Sequence, residues 1–103
     1  MEARIKKGIL EMCLLFTISK NEMYGYDVMK IMKKHFPEVN ESTFYAILRR
    51  LHSVGSAEIL LGSTSNDPTR KYYKITSSGL DALQNNITSW KRIRGIVQHI
   101  GIE

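Results

Sequence analysis

The sequence predicts a mainly helical α+β fold in which three short helices precede a β-hairpin and one long C-terminal helix. Three observations predict this class. Apolar residues recur at helical spacing in three stretches before residue 55. Two short runs rich in β-forming residues, 57–61 and 70–75, flank a turn-rich segment around Asn66-Asp67-Pro68. Beyond Thr76, apolar residues again recur at spacings of three, four and seven, as in a long helix.

Size and charge limit the classes of function. A chain of 103 residues buries a modest core, and so short a chain often gains buried surface by dimerising. The formal charge of +5 and the pI near 9.5 favour a polyanionic partner, either nucleic acid or an anionic membrane surface. One cysteine, Cys13, excludes an internal disulfide and a cysteine-based zinc site. Glu11 interrupts the apolar run 8–18, which is too short to cross a bilayer, so we expect a soluble cytoplasmic protein.

The first predicted helix, residues 5–19, is apolar over most of its circumference. A helix of this kind needs more than one packing partner, and one of these could be another subunit. Its main apolar stripe consists of Ile5, Ile9, Met12 and Phe16, and Leu10, Cys13 and Leu14 widen it.

A second amphipathic helix is predicted over residues 24–35 and ends before Pro37. Asp27 near its start and the basic residues in its last turn suit the helix dipole. Its inward positions are Gly25, Val28, Met29, Met32 and Phe36.

The third predicted helix is short and has a strongly specified start. Asn40 is a favoured N-cap residue, and Glu41 suits the positive end of the helix dipole. Val39 and Phe44 have the spacing of a hydrophobic staple. The inner stripe is Phe44, Ile47, Leu48, Leu51 and Val54, and the outer face is Ser42, Ala46, Arg49 and Ser53, flanked by Tyr45 and Arg50. Such an outer face suits a helix in a DNA major groove, and a solvated surface helix is the alternative.

Two short helices joined by a tight connection, the second one capped and basic, are typical of a helix-turn-helix. Gly55 is predicted to end the third helix in the left-handed conformation. The hairpin that follows has its tip at 62–69 and carries Arg70, Lys71 and Lys74. A basic hairpin beside a helix-turn-helix is typical of a wing, whose basic side chains can reach the sugar-phosphate backbone or the minor groove. The alternative is a charged edge strand that discourages aggregation.

Thr76 is the predicted N-cap of the last helix. At roughly 30 Å this helix is longer than the domain needs to cover its core, so we expect a dimer surface. Arg94 interrupts a strict heptad, which favours packing against the first helix of a partner over an ideal coiled coil. The predicted organisation is a winged helix-turn-helix over 1–76 and a dimerisation helix over 77–103. The expected dimer interface contains Ile5, Ile9, Met12, Leu80, Leu83, Ile87, Trp90 and Val97.

Several local strings, taken with the order of the elements, resemble the PadR family of bacterial transcriptional regulators over about residues 8–97. The strings are Tyr24-Gly25-Tyr26, Ser42-Thr43-Phe44-Tyr45, Ile47-Leu48-Arg49-Arg50-Leu51, Gly55, Arg70-Lys71-Tyr72-Tyr73-Lys74-Ile75-Thr76 with Gly79, and Trp90. The chain departs from the family at Ser42, Phe44 and Ala46, where members often carry Gly, Leu and Pro. Its single C-terminal helix resembles the short subfamily.

The resemblance implies a homodimeric winged helix-turn-helix repressor that binds an inverted-repeat operator in double-stranded DNA. In some short members a pair of interface tryptophans holds a flat aromatic effector, and Trp90 stands at the matching place. Ile87, Ile9 and Leu10 are then the expected walls of an effector site, and the alternative is a Trp90 that only packs in the interface. The residues expected to contact DNA are Asn40, Ser42, Thr43, Tyr45, Arg49, Arg50, Arg70 and Lys71.

Catalytic and metal chemistry have little support in the sequence. His35, His52 and His99 are scattered, without a His-x-x-His motif, a carboxylate cluster or a Gly-rich phosphate loop. Cys13 lies on the most apolar helix, where a thiolate is disfavoured. We expect no enzyme, no metal and no cofactor. The alternative to a DNA-binding regulator is a winged-helix module that binds another protein and has no specific DNA binding.

Overall fold

The computed structural model describes residues 3–62 and 70–102, and side chains from residue 7 onward within those ranges. The elements in chain order are α1 (Ala3–Ser19), β1 (Met23–Tyr24), α2 (Gly25–His35), α3 (Glu41–Ser53), β2 (Ala57–Leu61), β3 (Lys71–Ile75) and α4 (Ser77–Ile100). The mainly helical α+β class and the winged helix-turn-helix arrangement are therefore confirmed. Most of the predicted hairpin tip, 63–69, lies outside the described residues.

The three strands form one antiparallel sheet in the order β1-β3-β2. Ile59 of β2 pairs with Tyr73 of β3, and Tyr24 of β1 pairs with Tyr72 of β3. Helical periodicity places Tyr24 in the second helix, but the structure puts it in a two-residue strand, which is too short to leave an alternating pattern. This strand attaches the start of α2 to the wing.

The turn between α2 and α3 is held by hydrogen bonds to main-chain carbonyls. The Phe36 N–H donates to the Met32 carbonyl at 2.8 Å, and the Val39 N–H donates to the Phe36 carbonyl at 3.1 Å. The Lys33 ammonium donates to the Val39 carbonyl at 2.8 Å, so this lysine closes the turn although its position in the sequence suggests an outward residue. The angle between the two helices is thus fixed by several bonds.

The C-terminus of α3 is a Schellman motif, as the sequence predicts for Gly55. Gly55 has φ of +82°, and its N–H donates to the His52 carbonyl at 3.1 Å. The Ser56 N–H donates to the Leu51 carbonyl at 2.8 Å, which completes the motif. The placement of Val54 on the core stripe is wrong: its side chain is 56% exposed. The helix ends at Ser53, so the helical spacing no longer applies to Val54.

The core is centred on α1, which packs against α2, α3, β3 and α4. Phe44 at the start of α3 is fully buried, and Val39, its partner in the predicted staple, is buried in the same cluster. The residues of α1 with least exposure are Leu10, Leu14, Leu15 and Ile18. The predicted main stripe lies at the edge of this core, since Phe16 is 48% exposed and Met12 is half-buried.

Thr76 caps α4 as predicted: its hydroxyl accepts a hydrogen bond from the Gly79 N–H at 3.0 Å. The same hydroxyl donates to the Gly55 carbonyl at 2.6 Å, which joins the start of α4 to the end of α3. With 24 residues α4 is about 36 Å long, and its first half packs against α1. No helix within the described ranges has the length and apolarity needed to cross a membrane.

Gly79 is expected to tolerate no side chain. A Cβ there would overlap the Ser56 carbonyl oxygen, which also accepts the Thr76 N–H, and would lie 2.9 Å from the Ser56 carbonyl carbon. We predict that Gly79→Ala lowers the free energy of unfolding by about 3 kcal/mol or more, because main-chain atoms cannot move aside as a flexible side chain would. Urea unfolding followed by circular dichroism measures this change.

Gly95→Ala is the matched control. Gly95 lies in the same helix, and a Cβ there meets no atom of the described chain within 4 Å. This variant should gain about 0.5–1 kcal/mol from the higher helix propensity of alanine. Equal stability of the two variants would contradict the close contact between α4 and the turn after α3.

Candidate nucleic-acid interface

The outer face of α3 is polar, basic and open to solvent. Ser42, Thr43 and Arg49 are exposed, and Tyr45 is half-buried at the edge of the core. Asn40 occupies the N-cap position, as predicted, but its side chain makes no capping hydrogen bond. Its main-chain carbonyl accepts from the Thr43 N–H at 3.0 Å instead. The exposed Asn40 side chain is therefore available to a partner, together with the first turn of the helix.

A cleft of about 340 Å³ separates α3 from the wing and the start of α2. Arg70, just before β3, and Lys71, its first residue, line the cleft together with Tyr45 of α3. The structure thus brings together residues predicted from two separate segments of the sequence. Tyr24 and Tyr26 also line the cleft and were absent from the predicted site. The Tyr-Gly-Tyr string was the available signal for them.

One wall of the cleft is tightly packed. Tyr73 lines the cleft with only 8% of its surface exposed, and a Cβ on Gly25 would approach the Tyr73 ring to 3.2 Å. Burial raises the pKa of Tyr73, the neighbouring Tyr45 raises it further, and Arg49 lowers it. The Tyr73 phenol therefore stays protonated at neutral pH.

Arg50, which was predicted to contact DNA, is also engaged with α1, although 48% of its side chain is exposed. Its guanidinium forms an ion pair with the Glu11 carboxylate on α1. Because Glu11 lies 39 residues earlier in the chain, spacing within α3 gives no sign of this pair. The pair connects the first helix to the third, and Arg49, the adjacent arginine, remains on the outer face.

A second, larger recess lies between α1, α2 and α4. It has a volume of about 790 Å³ and a mainly apolar lining. The apolar side chains that line it are Met12, Cys13, Phe16, Met23, Ile31, Met32, Phe36, Ile87 and Trp90. The ionisable amines and imidazole in its lining are Lys20, His35 and Lys91, and no carboxylate is among its lining residues. We call this recess the α1–α4 groove.

The predicted effector residues divide between this groove and the core. Ile87 and Trp90 line the groove, as expected for an effector site. Leu10 is only 1% exposed and belongs to the core, and Ile9 is not among the groove residues. Burial raises the pKa of the Cys13 thiol, so this groove residue is a poor nucleophile at neutral pH.

The residues predicted for a dimer interface include both exposed and buried side chains. Leu80 and Trp90 are exposed, whereas Leu83 is 6% exposed and packs in the chain's own core, so it is not available to a partner. The side chain of Ile5 lies outside the described part of the structure. Further exposed apolar residues on the second half of α4, unnamed in the sequence prediction, are Ile93, Ile96 and Ile100.

The histidines do not assemble into a metal site. His35 lines the α1–α4 groove, while His52 and His99 are exposed on α3 and α4. Over the described ranges no group of three or more His, Cys, Asp or Glu side chains is arranged to hold a metal ion.

Comparison with known proteins gives consistent matches over most of the chain. The profile of the transcriptional regulator PadR-like family matches residues 14–85. A PadR-like transcriptional regulator from Bacillus cereus is 36% identical, with a TM-score of 0.83 over 95% of this chain and 96% of that one. A PadR-like transcription factor from Bacteroides fragilis is 31% identical, with a TM-score of 0.74 over 96% of each chain. An uncharacterized protein of Lysinibacillus sphaericus is 29% identical over 90% of this chain and 88% of its own length.

Proposed function

The chain belongs to the PadR-like family of transcriptional regulators, and we propose that it is a homodimeric repressor that binds an inverted-repeat operator. The family makes it a DNA-binding regulator and not a metabolic enzyme. The proposal adds the sign of regulation, the assembly, the residues that contact DNA and a small-molecule effector.

The observation that carries the proposal is the meeting of α3 and the wing at one cleft. Short polar side chains on the first turn of α3 let the helix approach base edges closely, and Arg49 follows two turns later. Arg70 and Lys71 on the other side of the cleft suit the phosphates beside the groove that α3 enters. Tyr45 also lines this cleft, and its hydroxyl can donate a hydrogen bond to a base edge or to a phosphate oxygen.

The apolar residues that the single chain leaves uncovered support the proposed homodimer. Ile93 is 56% exposed and Ile100 is 72% exposed on the projecting half of α4. Phe16 on α1 is also uncovered, so both helices present apolar surface of the kind that marks an interaction site. A second copy of the chain, packed with α1 and α4 of each protomer in contact, covers these residues. A twofold dimer presents two α3 helices, which reads an inverted repeat.

Arg50 has a positioning role in this proposal. Its ion pair with Glu11 ties α3 to α1, and α1 belongs to the proposed dimer contact. In this proposal, a change in how α1 packs alters the orientation of α3 through this pair. This connection offers a physical route by which an event at the dimer interface releases the operator.

The α1–α4 groove is the proposed effector site. Its apolar lining and Trp90 suit a flat aromatic compound. The Lys20 ammonium lies 5.0 Å from the centre of the Phe16 ring, and the Arg94 guanidinium lies 5.8 Å from the centre of the Trp90 ring. Since the charged groups around the groove are cationic, a neutral or anionic aromatic compound fits better than a cation. Trp90 lies beside the exposed residues of α4, so an occupant would act next to the dimer contact.

The second candidate is a winged-helix module whose exposed α3 and wing bind another protein. Ser42, Thr43 and Arg49 on α3 are exposed, so this face is open to a protein partner as well as to DNA. This candidate predicts weak DNA binding without sequence preference that disappears at physiological salt. The repressor keeps a preference for one site under the same conditions.

The recognition face is tested with Tyr45→Ala combined with Arg49→Ala. A base-reading contact is worth about 1–3 kcal/mol, so we predict at least a tenfold loss of affinity for the operator fragment. The dimer should remain intact, because both side chains lie away from the exposed apolar residues of α1 and α4. Fluorescence anisotropy measures the affinity and analytical ultracentrifugation measures the assembly.

Arg92→Ala is the matched control for this test, because it removes one exposed positive charge from α4 instead of α3. It should leave the affinity within about twofold, since a distant exposed charge is largely screened at physiological salt. Unchanged operator affinity in the double variant would show that α3 does not read the DNA through Tyr45 and Arg49.

The effector site is tested with the fluorescence of Trp90, the single tryptophan of the chain. Titration with planar aromatic carboxylates should quench it saturably, with affinity about fivefold higher than for aromatic amines of the same shape. Lys91→Gln should reduce that difference without abolishing binding, because it removes one cation and keeps the apolar lining. A flat titration across carboxylates, neutral compounds and amines would show that Trp90 serves packing alone.

A further inference from the structure

Arg70 on the wing is held against an aromatic ring from another element. We propose that Tyr24 is a positioning residue for DNA binding, whose ring holds the Arg70 guanidinium in place to bind an operator phosphate. The inference rests on the proposed function, because it assigns to Arg70 a phosphate contact at the cleft between α3 and the wing. Tyr24 is not among the predicted DNA contacts, and its role would connect the start of α2 to the wing.

Arg70 is fixed at both its main chain and its side chain. The Gly62 N–H donates to the Arg70 carbonyl at 2.9 Å. This bond joins the residue after β2 to the residue before β3. The Arg70 guanidinium carbon lies 4.7 Å from the centre of the Tyr24 ring, within the range of a cation–π contact. The residue is nevertheless exposed, so the contact does not remove it from a partner.

The Tyr24 ring is itself held from several directions. Tyr24 pairs with Tyr72 across β1 and β3, and their ring centres are 5.8 Å apart. Its ring centre is 6.1 Å from that of Tyr26, which stands in the first turn of α2. Tyr24 is also the residue that precedes α2, with extended φ and ψ of −61° and 135°. The position of the Tyr24 ring, and of the Arg70 guanidinium on it, therefore depends on both the sheet and α2.

The cation–π contact is compatible with phosphate binding. When a guanidinium lies face-on over a ring, its N–H groups remain available along its edge. A phosphate in the cleft accepts from that edge, with Lys71 as a second cation nearby. Because an arginine that is already held loses less conformational freedom on binding, the ring increases affinity without touching DNA.

The expected effect is small and specific. An exposed cation–π contact corresponds to roughly a two- to fivefold change in an equilibrium constant. Tyr24→Leu should weaken operator binding by that factor, and Tyr24→Phe, which keeps the ring, should bind like the natural protein. In an Arg70→Gln background, Tyr24→Leu should cause no further loss, since the group that the ring holds is gone. Operator affinity measured over a series of salt concentrations provides each value.

The salt series separates this inference from the proposed function. Arg70→Gln should reduce the slope of log K against log salt by about 0.9, the value for one lost phosphate contact. Unchanged affinity and slope for Arg70→Gln would overturn the placement of the wing on DNA, and with it the basis of the inference. If Arg70→Gln weakens binding while Tyr24→Leu has no effect, or an additive one, the wing contact stands and the role of Tyr24 is wrong.

Two further results keep the test decisive. A Tyr24→Phe variant as weak as Tyr24→Leu would mean that the hydroxyl contacts the DNA, which overturns the positioning role. If Tyr24→Leu fails to fold, the stacking is measured in the natural protein by NMR. The side-chain δ-methylene protons of Arg70 should be shifted upfield by the Tyr24 ring and should remain so when operator DNA is added. Random-coil shifts for these protons would overturn the inference.

Discussion

The first helix, α1, has more apolar surface than the rest of the chain covers. The packing of the other helices and the proposed dimer contact both depend on this apolar surface. Leu10 and Leu14 fill the core and hold α2, α3 and α4 together, with each buried leucine contributing about 1.5–3 kcal/mol. Phe16 and Met12 on the same helix stay partly open at the α1–α4 groove. One helix thus serves the DNA-binding unit and the surface proposed for dimerisation.

The connections between elements suggest how the two surfaces influence each other. Glu11 on α1 pairs with Arg50 on α3, so α3 is attached to the helix that borders the groove. Thr76 joins the start of α4 to the end of α3 through the Gly55 carbonyl. In the proposed mechanism an occupant near Trp90 changes the packing of α1 and α4, and both connections carry that change toward the DNA-binding face.

Local features of the structure could be predicted from the sequence, and non-local ones could not. Gly55 and Thr76 were predictable because a cap depends on residues within one turn. Val54 was misplaced because its spacing fits the helical stripe although the helix has already ended. Pairing between distant segments leaves no periodic signal, which is why β1 and the Arg50–Glu11 pair were missed. The Tyr-Gly-Tyr string marks Tyr24, but its contact with Arg70, 46 positions away, leaves no periodic signal, so Tyr24 was not assigned to the site.

In the proposed assembly, two protomers form a twofold dimer, and the outer face of α3 and the wing of each protomer contact one operator. The most direct measurement is selection of short genomic DNA fragments by the purified protein at about 150 mM salt, where loose surface attraction is screened. A twofold repressor should enrich a single inverted-repeat site, with two half-sites about one helical turn apart or a multiple of it. Protein that is folded and dimeric but enriches no fragment would contradict the claim and favour a protein partner for the exposed face of α3.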